Sequence, residues 1–80
     1  MSLKLVFLGR LEGIAGSAER DIPAVPSIAA LLASLEPELY DALNEDRIKL
    51  AVNGQIVTDR AAFTLRDGDE VAFLPPVSGG

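Results

Sequence analysis

Residues 65–80 read LRDGDEVAFLPPVSGG, and the order of features inside that stretch decides the fold. Arg66, Asp67, Gly68 and Asp69 make a polar turn. Glu70 to Leu74 follows as a strand, with Val71 and Phe73 on one face and Ala72 and Leu74 on the other. Pro75 and Pro76 stop that strand, because a proline nitrogen has no hydrogen to give to a sheet ladder. Val77, Ser78, Gly79 and Gly80 therefore continue beyond the sheet.

The residues just upstream supply a hairpin. Ile48, Leu50 and Val52 alternate with Lys49, Ala51 and Asn53, which predicts a half-buried strand. It runs into Asn53-Gly54, the dipeptide best suited to a tight two-residue turn, and Gln55 to Thr58 is expected to return as its partner. Phe63 and Leu65 connect this hairpin to the last strand. Further upstream, Ser27 is placed to cap a helix on which Ile28, Leu31, Leu32 and Leu35 fall at helical spacing. Pro37 interrupts it and suits the first turn of a second short helix over Glu38 to Leu43, with Leu39 and Leu43 inward.

At the start of the chain, Leu3, Leu5 and Phe7 share one face of a strand while Lys4, Val6 and Leu8 take the other. Gly13 and Gly16 predict that Arg10 to Gly16 is a loop or at most one helical turn, and a weak second strand is expected over Ala18 to Ile22. The order is strand, strand, helix, then two or three strands. One main helix and a second short one, packed across one face of a mixed sheet of four to five strands, is the economical way to bury these faces. That is an α+β chain of the β-grasp, or ubiquitin-like, kind, with residues 1–80 forming a single domain and residues 76–80 a flexible tail.

Composition narrows the chemistry. The chain has 80 residues, 49% of them hydrophobic and 24% charged, as in an ordinary soluble globule. A domain of this size buries only about 60% of the surface its unfolded chain exposes, so the core is small. No cysteine and no histidine is present, which removes thiolate chemistry, disulfides, and the commonest general base and metal ligand. What is left is carboxylates, hydroxyls and chain termini, so a self-sufficient enzyme is not expected. Seven basic residues against twelve acidic ones give a net charge of −5, and the basic residues are scattered singly, against nucleic-acid binding. Short apolar runs and the absence of a secretory pattern at the N-terminus predict a cytoplasmic protein with no membrane contact.

The candidate reactive group is the carboxyl of Gly80. Gly79 and Gly80 leave it on a stalk without side chains, able to enter a narrow channel on a partner and adopt backbone angles that a Cβ forbids. Pro75 and Pro76 restrict the approach to an extended form, which limits the entropy lost on insertion. Taken alone, the dipeptide is better read as an ordinary frayed terminus, because so short a motif recurs by chance.

Its context is more specific. The segment from Leu65 to Gly80 resembles the C-terminal signature of the molybdopterin synthase small-subunit family, in which a D-G-D-E-V strand leads to a proline pair and Gly-Gly. Ala51-Val52-Asn53-Gly54 resembles that family's central hairpin, and the likeness in length, element order and the Leu3 to Leu8 opening extends over essentially the whole chain. The same ubiquitin-like sulfur-carrier family includes the thiamin sulfur carrier. The loop from Arg10 to Gly16 departs from the pattern, with Gly13 where a larger residue is expected.

The resemblance implies a cycle. An ATP-dependent activating enzyme, related to ubiquitin activators, adenylates the Gly80 carboxylate, and a sulfur donor displaces AMP. The Gly80 thiocarboxylate then enters the large synthase subunit, within a heterotetramer of two of each subunit, and gives its sulfur to a pterin precursor in molybdenum cofactor biosynthesis. Gly79 lets the tail reach. On this view the chain is a sulfur-donating subunit that binds no cofactor or metal itself, the ATP being used by the activating enzyme. The alternatives are a carrier for thiamin or another pathway, a ubiquitin-like protein modifier, and a plain interaction module.

A partner surface is expected beside the tail. If the helices cover Val71 and Phe73, then Val6, Leu8, Ala72 and Leu74 form an apolar patch on the opposite face, continuous with Pro75, Pro76, Val77 and Ser78. Asp67, Asp69 and Glu70 lack the spacing of a calcium loop and read as turn formers.

Overall fold

A computed structural model describes residues 1–45 and 47–76. In chain order the elements are β1 (Ser2–Phe7), α1 (Leu11–Ala15), β2 (Glu19–Pro23), α2 (Ile28–Ala33), α3 (Pro37–Leu43), β3 (Lys49–Val52), β4 (Gln55–Ile56) and β5 (Glu70–Leu74). The five strands form one mixed sheet in the order β2-β1-β5-β3-β4. β1 and β5 run parallel in the middle, and every other pairing is antiparallel. This is the expected β-grasp, with the last strand inserted between the first and third.

Two-residue periodicity decides which side of the sheet is buried. Leu3, Leu5 and Phe7 on β1, Leu50 and Val52 on β3, and Val71 and Phe73 on β5 all point to one face and are at most 4% exposed. Across them lie Leu11, Ile28, Leu31, Leu39 and Leu43 from the three helices, in one continuous core. No buried residue among those described is polar or charged.

The helices start where the chain chemistry allows. The Ser27 hydroxyl accepts the Ala30 N–H at 3.1 Å and so satisfies one of the free amides of α2. Pro37 occupies the opening turn of α3, where a missing N–H costs nothing. The expected main helix and second short helix are both present, as α2 and α3, but with six and seven residues neither dominates the other. Leu35 is buried outside α2, on the bend that Pro37 imposes.

Three other expectations shift. The segment after β1 is the five-residue helix α1, slightly more than one turn, closed by Gly16 at φ 84. β2 begins at Glu19 rather than Ala18, although the Ala18 carbonyl still accepts the Phe7 N–H at 2.8 Å. β4 covers only Gln55 and Ile56, with one further ladder bond from the Val57 N–H to the Leu50 carbonyl at 2.8 Å. Beyond that point the chain crosses toward α2, where Leu65 N–H bonds the Pro26 carbonyl at 2.9 Å, and the return strand ends. No helix among the described residues is long and apolar enough to cross a membrane.

Candidate functional site: the root of the C-terminal tail

The tail leaves from β5, the central strand of the sheet. β5 is hydrogen-bonded on both sides, its Phe73 opposite Phe7 of β1 and Leu50 of β3. The Phe73 and Phe7 rings stack with centroids 5.7 Å apart and planes 10° from parallel, a geometry that adds to the burial of both. Behind them the Arg20 guanidinium lies 5.9 Å from the Phe7 ring centre. Arg20 is itself held by Glu36, at 2.6 and 3.2 Å, and by the Ala15 carbonyl at 2.8 Å. Those bonds pull the Glu36 carboxyl below its ordinary range, the hydrogen bond from Arg20 being the main cause. The residue one step before Leu74 is therefore fixed by both neighbouring strands and, through Phe7 and Arg20, by the edge strand and the α2–α3 bend.

Pro75 continues this root. It is half-buried, and its ring sits against Gly9, where a Cβ would come 3.1 Å from Pro75 Cγ. Gly9 has φ +57, which favours a residue without a side chain. The Leu8 N–H reaches the Phe73 carbonyl at 3.3 Å, so the two exits, after β1 and after β5, are joined directly. Pro76 is exposed. Val77, Ser78, Gly79 and Gly80, four of the expected site residues, lie outside the described residues.

The face opposite the helices carries the expected apolar set. Val6, Ala72 and Leu74 are half-buried and Leu8 is 41% exposed. Register puts Val6 beside Ala72, Ala72 beside Ala51, and Ala51 beside Ile56, which is 57% exposed. Leu74 stands opposite Lys49. An apolar row thus crosses four strands and adjoins the tail root, bounded on the β2 side by Glu19 and its 3.4 Å pair with Lys4. Ala51 and Ile56 were not among the expected site residues. The Asn53-Gly54 turn was the signal for them, because a two-residue turn fixes which residues of its strands face each other.

The acidic residues before β5 are occupied with the turn itself. Asp67 accepts the Ser2 N–H at 2.7 Å, and Asp69 accepts the Arg66 N–H at 2.9 Å and the Asn53 side-chain amide at 2.9 Å. The carboxyl of Asp69 is lowered by these bonds, most by the one from the Arg66 backbone.

The ThiS family model matches residues 5–80. The chain belongs to the ThiS family. A relative of this ThiS-family chain, the molybdopterin synthase sulfur carrier subunit of Escherichia coli (strain K12), is 32% identical over 82 residues, covering 98% of this chain and 99% of the relative. Among solved structures, the complex of subunits 1 and 2 of molybdopterin-converting factor from Helicobacter pylori contains a chain that superposes with a TM-score of 0.71 at 27% identity, with both chains fully covered. The small archaeal modifier protein 1 of Methanosarcina acetivorans superposes with a TM-score of 0.75 at 26% identity, over 99% of this chain and 96% of that one. These neighbours share the β-grasp of this ThiS-family chain over its whole length.

Proposed function

We propose that the chain is the sulfur-carrier subunit of a molybdopterin synthase and that the Gly80 carboxyl is the group that carries sulfur. The observation that carries the proposal is the near-complete match to the Escherichia coli sulfur carrier subunit, joined to a fold in which β5 feeds Pro75 and Pro76 toward Gly79-Gly80.

The chemistry needs little from this chain beyond presentation. In the proposed cycle a Gly80 carboxylate oxygen attacks the α-phosphorus of ATP on an activating enzyme, and pyrophosphate leaves. Sulfide-level sulfur from a donor then attacks the acyl carbon, AMP departs, and a thiocarboxylate results. Inside the large subunit, sulfur passes to a pterin precursor and water supplies the oxygen that regenerates the carboxylate. A carrier whose sulfur rides on its own backbone has no need of cysteine or histidine, and this sequence has neither. The rigid root at Phe73 and Pro75 fixes the direction of departure, while glycines at the tip permit passage through a channel too narrow for a Cβ.

Docking is assigned to the partly exposed apolar row beside the root. Val6, Leu8, Ala72, Leu74 and Ile56 offer a surface that water disfavours and that a partner can cover while the tail is inserted. The partner proposed for it is the large synthase subunit, by analogy with the two-subunit Helicobacter pylori complex.

The likeness to an archaeal protein named as a modifier favours a second reading, in which the activated Gly80 carboxyl is transferred to a lysine amine of another protein. The two separate on the product. Thiocarboxylated protein mixed with the large subunit and the pterin precursor should yield the dithiolene product and return the carboxylate form of the chain. Covalent adducts with other proteins, lost on deletion of Gly80 and formed without any dithiolene product, would replace the carrier reading with the modifier one.

A further inference from the structure

At the end of the sheet away from the tail root, the β3–β4 turn is tied to the start of β5. Asn53 has φ 51 and Gly54 φ 85, the two left-handed positions that a tight hairpin turn requires. The Asn53 N–H donates to the Glu70 carbonyl at 2.8 Å. Its side-chain carbonyl accepts the Glu70 N–H at 3.0 Å, and its side-chain amide donates to Asp69 Oδ1 at 2.9 Å. Asp69 is held in turn by the Arg66 N–H on its other oxygen, at 2.9 Å. Both ends of an exposed side-chain amide are thus bound to one strand terminus.

Asparagine before glycine is also a reactive pair. The backbone nitrogen of the glycine can reach the asparagine side-chain carbon with the least obstruction, because no Cβ flanks it. We propose that Asn53 is a masked deamidation site, kept unreactive by its hydrogen bonds to Asp69 and Glu70 and released when the hairpin parts from β5. In the reaction the Gly54 nitrogen loses its proton to solvent base and bonds to Asn53 Cγ, the Cγ–Nδ2 bond breaks, and ammonia leaves. Water then opens the cyclic imide at either carbonyl, leaving aspartate or isoaspartate at position 53.

The product changes the contact that masked the site. A carboxylate replaces the amide that donated to Asp69, so a hydrogen bond becomes a like-charge contact. Release of ammonia makes the change irreversible in practice. The modification therefore uncouples the hairpin from β5 once it has occurred. This inference rests on the hairpin and is independent of the role of the tail.

The test is the rate at which the intact chain converts at position 53 in mildly alkaline buffer, read by mass spectrometry with peptide mapping. Four samples are compared: the folded protein, the protein in denaturing urea, Asp69→Ala, and Leu32→Ala as a variant destabilised away from the turn. The folded protein should convert slowly, the urea sample much faster, and Asp69→Ala about tenfold faster than the folded protein, on the scale of one lost charged hydrogen bond. Leu32→Ala should track the folded protein under conditions where it remains folded. A folded protein that converts as fast as the urea sample, or an Asp69→Ala rate equal to the unsubstituted one, overturns the proposal. So does equal acceleration in Asp69→Ala and Leu32→Ala, since general loosening would then account for the effect.

Discussion

Phe73 lies flat against Phe7, ring centres 5.7 Å apart, and the pair is sealed from water at 0% and 1% exposure. The contact joins the parallel strands at the point where the tail begins. Phe73→Ala removes a large buried ring from a core that has few, at a cost of about 3–5 kcal/mol. A chain of this length has about 4–12 kcal/mol of stability in all. The expected result is a urea midpoint lowered far enough that part of the protein is unfolded in plain buffer. A shift of less than about 1 kcal/mol would mean that the stack does not anchor the tail root.

Gly13 gives the opposite prediction. It lies within α1, and a Cβ built there meets nothing within 4 Å. Alanine at this position should restrict the unfolded chain and favour the helix, stabilising the protein by about 0.5–1 kcal/mol. For a domain of this size that raises Tm by about 2–8 °C, measurable by thermal circular dichroism. A lowered Tm would place a neighbour where the structure shows open space.

Leu8 tests the apolar row separately from the fold. At 41% exposure it contributes little to the core, so Leu8→Asp should change stability by less than about 1 kcal/mol. Binding to the proposed partner, a large synthase subunit, followed by calorimetry, should weaken at least about tenfold, because a buried charge without a partner is costly at an interface. Ile56→Asp, at the far end of the row, should weaken it in the same direction. Unchanged affinity in both variants would move the docking surface elsewhere.

Two carboxyls make stability depend on acid. Glu36, bound by Arg20, and Asp69, bound by the Arg66 backbone and Asn53, both titrate below their ordinary values of 4.5 and 3.8 when folded. A lowered folded value favours the ionised native state, so the contribution is complete above the ordinary value and is lost as pH falls through the folded one. The urea midpoint should hold near about pH 6 and decline below about pH 4.5, continuing below about pH 3.8. Arg20→Gln should remove the larger share of the Glu36 part of that decline, leaving what the Glu36 backbone hydrogen bond contributes, and added salt should shrink it, since the Glu36 carboxylate is exposed. A midpoint independent of pH across this range, or one that rises on acidification, contradicts the sign.

Local chemistry made part of this molecule readable from its sequence. Ser27, Pro37, Asn53-Gly54 and the proline pair each act on the few residues around them, so the cap, the second helix, the hairpin and the end of β5 follow from the chain alone. Alternation on β1 and β5 likewise separated Leu5 and Phe73 from Val6 and Ala72 before any pairing was known. What stayed hidden depends on contacts between distant segments. The length of β4 is set by where the chain must turn toward Pro26, and the approach of Gly9 to Pro75 joins two elements more than sixty residues apart. Arg20 lies on a strand whose pattern is weak, and its place over Phe7 comes from a partner on another bend, Glu36.

The most direct test of the carrier role is the intact mass of the protein after incubation with ATP, a sulfur donor and the activating enzyme, beside a variant lacking Gly80. Replacement of one oxygen by one sulfur in the full chain, absent from the variant and mapped to the last peptide, is the expected result. No change in mass, with an authentic carrier converted under the same conditions, would contradict the assignment of sulfur to Gly80.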